Sequence, residues 1–137
     1  MGMEAARALP RNESGIGLAV RLLEERFAER CQTGAAIREQ HGHTTTWLGT
    51  QAPDAVVFVR STEEVVELVR ICAAHRVPIV PFGVGSSLEG HVNAPAGGVS
   101  VDFSAMKRVI EVNEADLDCR VEPGVTRKEL NEHLRDK

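Results

Sequence analysis

The chain has 137 residues, 42% of them hydrophobic, with a net charge of −4. That length suits about one domain, and the apolar content can support a core. The negative balance, with 4% aromatic residues and no Tyr, argues against a nucleic-acid surface, which needs a basic patch and stacking rings. No run approaches the roughly 18 apolar residues of a membrane-spanning helix.

Residues 1–14 read as a loose leader. Glu4 and Arg7 interrupt any apolar stretch, so no signal peptide is expected. From Ile16 to Arg30 the apolar positions Ile16, Ala19, Leu22, Leu23 and Phe27 recur at helical spacing. Gly34 ends that helix, and a short helical piece is expected over Ala35 to Gln40. His41-Gly42-His43-Thr44-Thr45-Thr46-Trp47 reads as a polar loop. Two histidines two apart can share a metal, but no third ligand has suitable spacing. Trp47 is expected to pack against the domain.

Val56 to Val59 predicts a strand. Ser61 with Glu64 has the spacing of a capping box for a helix over Thr62 to Ala74. Val65, Val66, Leu68, Val69 and Cys72 give that helix a broad apolar face. A second strand follows around Pro78 to Phe82. Strand, helix and strand in this order predict a parallel pair joined by a right-handed crossover. Further strands are expected at Gly98 to Phe103, Arg108 to Asn113 and Asp118 to Glu122, the last two forming a hairpin around Glu114-Ala115-Asp116. Thr126 with Glu129 is a second capping box, so a helix starts near Arg127, with Leu130 and Leu134 opening its stripe. Cys31, Cys72 and Cys119 lie too far apart for a zinc or redox pair. Cys72 and Cys119 are expected to be buried, and free thiols suit a reducing cytosol.

The chemistry concentrates in Pro81-Phe82-Gly83-Val84-Gly85-Ser86-Ser87-Leu88-Glu89-Gly90-His91. Glycines let a backbone turn tightly and approach a ligand, and successive amides in such a turn can converge on an anion. A Rossmann fingerprint fails, because its third glycine would stand at Leu88 and no helix follows. A Walker A loop fails for want of Gly-Lys-Ser/Thr. A phosphate would therefore be held by loop amides and serine hydroxyls, without a helix dipole. The glycine spacing alone suits an unliganded turn between two strands equally well.

Three segments in order carry a resemblance: Pro53 to Val65, Pro81 to Pro95 and Val121 to Asn131. Together they resemble the FAD-binding domain of the vanillyl-alcohol oxidase and p-cresol methylhydroxylase (PCMH) superfamily, in its D-lactate dehydrogenase and glycolate oxidase D-subunit branch. The resemblance covers residues 35–137 and leaves 1–34 as a leader and helix. It implies an α+β fold, the N-terminal lobe of a PCMH-type domain, with a small mixed sheet and flanking helices. It implies FAD as cofactor, with Gly83, Val84, Gly85, Ser86 and Ser87 around the pyrophosphate and Gly90 near the flavin. His91 then lies near the cofactor as a loop histidine rather than as a covalent flavin attachment. Pro123-Gly124 resembles a second cofactor-side turn, although a structural turn explains it equally well. The branch implies a 2-hydroxy acid substrate, D-lactate first, and an electron acceptor. Catalytic base and metal ligands of the branch fall in segments outside this sequence, so this stretch is expected to be the truncated first lobe. A cytosolic placement is expected, with peripheral membrane docking open to a longer form. The competing expectation is a non-catalytic remnant or interaction module without tight FAD binding.

Overall fold

A computed structural model describes residues 10–135. The elements are α1 (Glu13–Phe27, followed by a 3-10 turn at Ala28–Arg30), β1 (Cys31–Gln32), α2 (Ala35–Gln40), β2 (Ala55–Phe58), α3 (Thr62–Ala74), β3 (Ile79–Phe82), β4 (Val99–Asp102), β5 (Val109–Asn113), β6 (Asp118–Val121) and α4 (Arg127–His133). The expected leader over residues 1–14 is only partly visible, since 1–9 lie outside the described residues. Residues 10–14 are not loose. Asn12 caps α1 by accepting from the Gly15 amide, and Arg11 pairs with Asp54 at 2.9 Å.

Four strands form one sheet in the order β1-β2-β4-β3, with β2, β4 and β3 parallel and β1 antiparallel at one edge. The β2–α3–β3 unit is present, but its strands are not neighbours. β4 lies between them, pairing Val57 with Val101 on one side and Pro81 with Val101 on the other. Pro81 is tolerated because β3 is the free edge, where a missing N–H breaks no ladder. β5 and β6 form a separate antiparallel hairpin.

One core joins the helices to the sheet. Ile16, Ala19, Leu23 and Phe27 of α1 pack with Leu68 and Cys72 of α3 over Val57, Val99 and Val101. The apolar stripes are narrower than their sequences suggest. Leu22 of α1 and Val66 and Val69 of α3 are exposed. Burial pushes the Cys31 and Cys72 thiols up to about 11, which leaves them as small core hydrophobes rather than nucleophiles. Cys119, expected to be buried, is half-exposed on the outlying hairpin.

At Ser61 the capping box is half formed. The hydroxyl accepts from the Glu64 amide, but the Glu64 carboxylate turns to Arg30, at 2.7 Å through both oxygens, and to the Arg60 amide. A bidentate ion pair outcompetes the reciprocal cap bond. At Thr126 both halves are made.

Candidate cofactor site

Because β2, β4 and β3 run parallel, Phe58, Asp102 and Phe82 end at one edge of the sheet. Ligands of open α/β sheets bind outside such carboxyl ends. The glycine loop leaves β3 here. Across from it, Gly124 docks on the β4 side, its amide donating to Met106 O at 2.8 Å. A cleft of about 480 Å³ opens between the two, lined by Gly83 to Ser87 and His91 on one wall and Pro123 to Arg127 on the other. The structure thus brings Gly83, Val84, Gly85, Ser86 and Ser87 to one wall. Gly90 is set back from it, with Leu48 against its α-carbon.

The loop geometry assigns each glycine a different part. Gly85 has φ +69°, and a Cβ there would stand 2.7 Å from Cζ of Phe82. Glycine is needed for both the backbone angle and the seat on that ring. At Gly83 a Cβ would meet nothing, so the missing side chain simply leaves the cleft open. Val84 and Leu88 stay well exposed. Ser87 Oγ lies 2.9 Å from Nδ1 of His91, while the Ser86 hydroxyl has no partner among the described residues.

Three observations test whether a diphosphate suits this cleft. No hydrogen bond among the described residues uses the amides of Gly83, Val84, Gly85, Ser86 and Ser87, so five successive donors stand available. No carboxylate lines the cleft. Arg127 lines it without an ion-pair partner among the described residues. Free amides, hydroxyls and a cation without a competing acid make a fitting donor set for an anion. At the start of α4 the capping box satisfies the Thr126 and Glu129 amides, while no hydrogen bond among the described residues uses those of Arg127 and Lys128. The loop wall by itself offers the amides and hydroxyls that a phosphate site would use.

Comparison with known proteins gives the family and the fold. Residues 53–137 match the family model described as FAD binding domain. The chain belongs to the FAD-binding domain family. FAD is that family's cofactor, and a search of curated proteins leads to the branch whose motifs the sequence resembles. The chain is 49% identical over 108 residues to a probable mitochondrial D-lactate dehydrogenase of Danio rerio, covering 79% of this chain and 22% of that protein. It is 51% identical over 84 residues to the mitochondrial D-lactate dehydrogenase [cytochrome] of Arabidopsis thaliana, covering 61% of this chain and 15% of that protein. The chain therefore spans about a fifth of the curated relatives it matches. Among solved structures, p-cresol methylhydroxylase with substrate bound superposes with TM-score 0.79 over 93% of this chain and 26% of its own, at 21% identity. That likeness shows the fold: a mixed α/β lobe of the PCMH type.

Two features of this FAD-binding domain escape its sequence. Arg127 carried no signal beyond its place in a capped helix. Trp47, expected to pack, is 83% exposed. His41 lies in the loop expected after α2, but its ring is buried against Phe82 rather than solvated. His43 stays exposed and lies 3.2 Å from the Thr50 hydroxyl. No metal-holding cluster occurs among the described residues.

Proposed function

We propose that this chain is the pyrophosphate-holding lobe of an FAD-dependent oxidoreductase that oxidises a 2-hydroxy acid, D-lactate first, to the 2-oxo acid. The observation that carries the proposal is the run of five unused amides, Gly83 to Ser87, in a cleft free of carboxylates. Bound FAD supplies the hydride acceptor. The chain's own residues bind and orient. The loop amides and the Ser86 hydroxyl hold the diphosphate oxygens, Arg127 offsets their charge from the opposite wall, and His91 steadies Ser87. Gly90, set back on Leu48, fixes the exit of the loop toward the flavin side. The substrate, and an electron acceptor as second partner, are drawn from the relatives' names, and no residue of this chain is assigned as the substrate base. Buried free thiols support a reducing compartment, the cytosol first; the mitochondrial designation of the relatives is a second such compartment. Among the described residues no helix is long and apolar enough to cross a membrane.

Titration with FAD, followed by flavin fluorescence with ADP as competitor, tests the site. Weak but ADP-sensitive binding is expected, because this lobe supplies only part of a pocket that normally encloses most of its ligand. Gly85→Val forces an unfavourable backbone angle and pushes the loop off Phe82, so binding falls by at least about tenfold. Arg127→Ala weakens binding less and flattens its salt dependence. Unchanged FAD affinity in a folded Gly85→Val chain rules the site out. D-lactate-dependent dye reduction by this chain alone is expected to show no turnover.

A further inference from the structure

His41 and Asp102 lie directly behind the glycine loop and belong to no part of the cofactor site described so far. Both are buried, with 2% and 4% of their surface exposed. His41 Nε2 stands 2.8 Å from Asp102 Oδ2, and Nδ1 stands 2.9 Å from the carbonyl oxygen of Ile37. The remaining Asp102 oxygen accepts the Ser104 amide at 2.7 Å. A carbonyl oxygen can only accept, and so can an ionised carboxylate. The imidazole ring lies against Phe82 at a tilt of 38°, centroid to centroid 4.1 Å, and meets Phe58 edge-on at 5.9 Å. Asp102 is the register partner of both phenylalanines. Phe82 is the ring on which Gly85 sits.

We propose that His41 is a positioning residue for the cofactor loop: held doubly protonated between Asp102 and the Ile37 carbonyl, it fixes the Phe82 ring as the platform on which Gly85 and the diphosphate-binding amides are set. This rests on the functional reading above. The groups facing the pair are the Ile37 carbonyl from α2, the Phe58 edge from β2, the Phe82 ring from β3 and the Ser104 amide just past β4, none of them charged. Each donor and acceptor of the pair therefore has one partner, and a cationic ring against an aromatic face adds attraction. Burial works to raise the Asp102 carboxyl, but the hydrogen bonds from His41 and Ser104 outweigh it and hold the carboxyl below its usual range. Both ring nitrogens face oxygens, the Ile37 carbonyl and the Asp102 carboxylate, so the geometry asks the ring to donate on both sides. A buried pair of this kind is weak evidence for net stability but can fix one arrangement against others. Here the arrangement fixed is that of the ring beneath the loop.

Long-range 1H–15N spectra of the full chain at neutral pH read the ring directly. Protons on both His41 nitrogens are expected, and a neutral single tautomer overturns the proposal. Asp102→Asn then removes the charge while keeping the shape. Its Gly83 to Ser87 amide resonances should shift, and FAD affinity should fall roughly tenfold. The core truncation Ile16→Ala, at the start of α1 where Asn12 bonds the His75 carbonyl and away from the ring, should leave both nearly unchanged. Equal effects in the two variants overturn the positioning role. If Asp102→Asn does not fold, Phe82→Leu, which keeps apolar volume and loses the ring, replaces it with the same expected outcomes. A wild-type chain that binds no FAD defeats the functional reading alone, because the ring protons and loop resonances are read without FAD.

Discussion

The four-stranded sheet carries the glycine-loop wall of the cleft, the β5–β6 hairpin leads into the Pro123–Arg127 wall, and the two are held by different forces. Every residue of β4 is buried, as are three of the four in β2. No residue of β5, β6 or α4 is. The sheet side is fixed by apolar burial, which is non-directional and hard to remove one residue at a time. The hairpin side is held together by polar contacts, Arg108 with Glu122 across its two ends and Lys107 with Glu129 of α4, and it meets the sheet side where the Gly124 amide donates to Met106 O. The sheet beneath the glycine-loop wall is therefore firmly fixed, and the hairpin behind the other wall is marginal. The lesson concerns order of failure: the Arg127 wall should loosen while the glycine loop stays in place.

Paired truncations break this comparison most directly. Leu68 is fully buried between α1 and the sheet. Leu68→Ala should cost about 2–5 kcal/mol and lower the thermal midpoint of the whole chain. Leu130 on α4 is only partly covered. Leu130→Ala should cost less than about 1 kcal/mol. Equal losses by thermal or denaturant unfolding would mean that the two walls share one core.

A sharper cut lies at the junction. A Cβ on Gly124 would overlap the carbonyl oxygen of Phe103 and come within 2.7 Å of that of Met106, both backbone atoms that cannot step aside. Gly124→Val should free the hairpin while the sheet persists. Hydrogen exchange reads this as loss of protection across Val109–Asn113 and Asp118–Val121, with Val56 and Val101 still protected. Protection lost equally in both sets would show that the walls unfold as one unit.

Acid should separate the walls in the same sense. A hydrogen bond from Arg108 holds the Glu122 carboxyl below its usual range, and one from Lys107, with Thr126, holds Glu129 down to about 2. Both folded values lie below the unfolded ones. Their contribution is therefore complete above the ordinary carboxylate range, near pH 4.3, and is lost as pH falls through the folded values, toward pH 2 for Glu129. Hairpin resonances should move in that window ahead of those from α1 and α3, although Glu64, also depressed by Arg30, limits how far the core side stays inert. Hairpin shifts that begin well above pH 5 would point to a different group.

The contrast also explains what the sequence made legible. Local signals held. The apolar periods of α1 and α3, both caps, the hairpin turn and the glycine loop depend on residues within a few positions of one another. Non-local facts did not follow. Nothing near β2 or β3 announces that β4 will slip between them, because a parallel neighbour on either side satisfies the same apolar run. His41 reads as one of several polar loop residues until Asp102, 61 positions on, arrives beside it. Arg127 becomes a cleft residue only once Gly124 has docked. Trp47, Val66 and Val69 look like core residues because side-chain type reports what can be buried, while the presence of a covering surface is a property of the fold.

The smallest predicted effect has the opposite sign and falls on the weaker wall. Leu117, in the turn between β5 and β6, has φ +57° and is 93% exposed. A leucine in the left-handed region carries strain that glycine avoids, and this one has no packing to offset it. Leu117→Gly should therefore stabilise the hairpin, by about 0.5–1 kcal/mol after the extra chain entropy of glycine is counted. Because the sheet side is already rigid, the gain should appear as slower exchange in β5 and β6 and leave the sheet amides unchanged. A faster-exchanging hairpin in Leu117→Gly would mean that this leucine is held by contacts, and the weaker wall would have to be redrawn to include its tip.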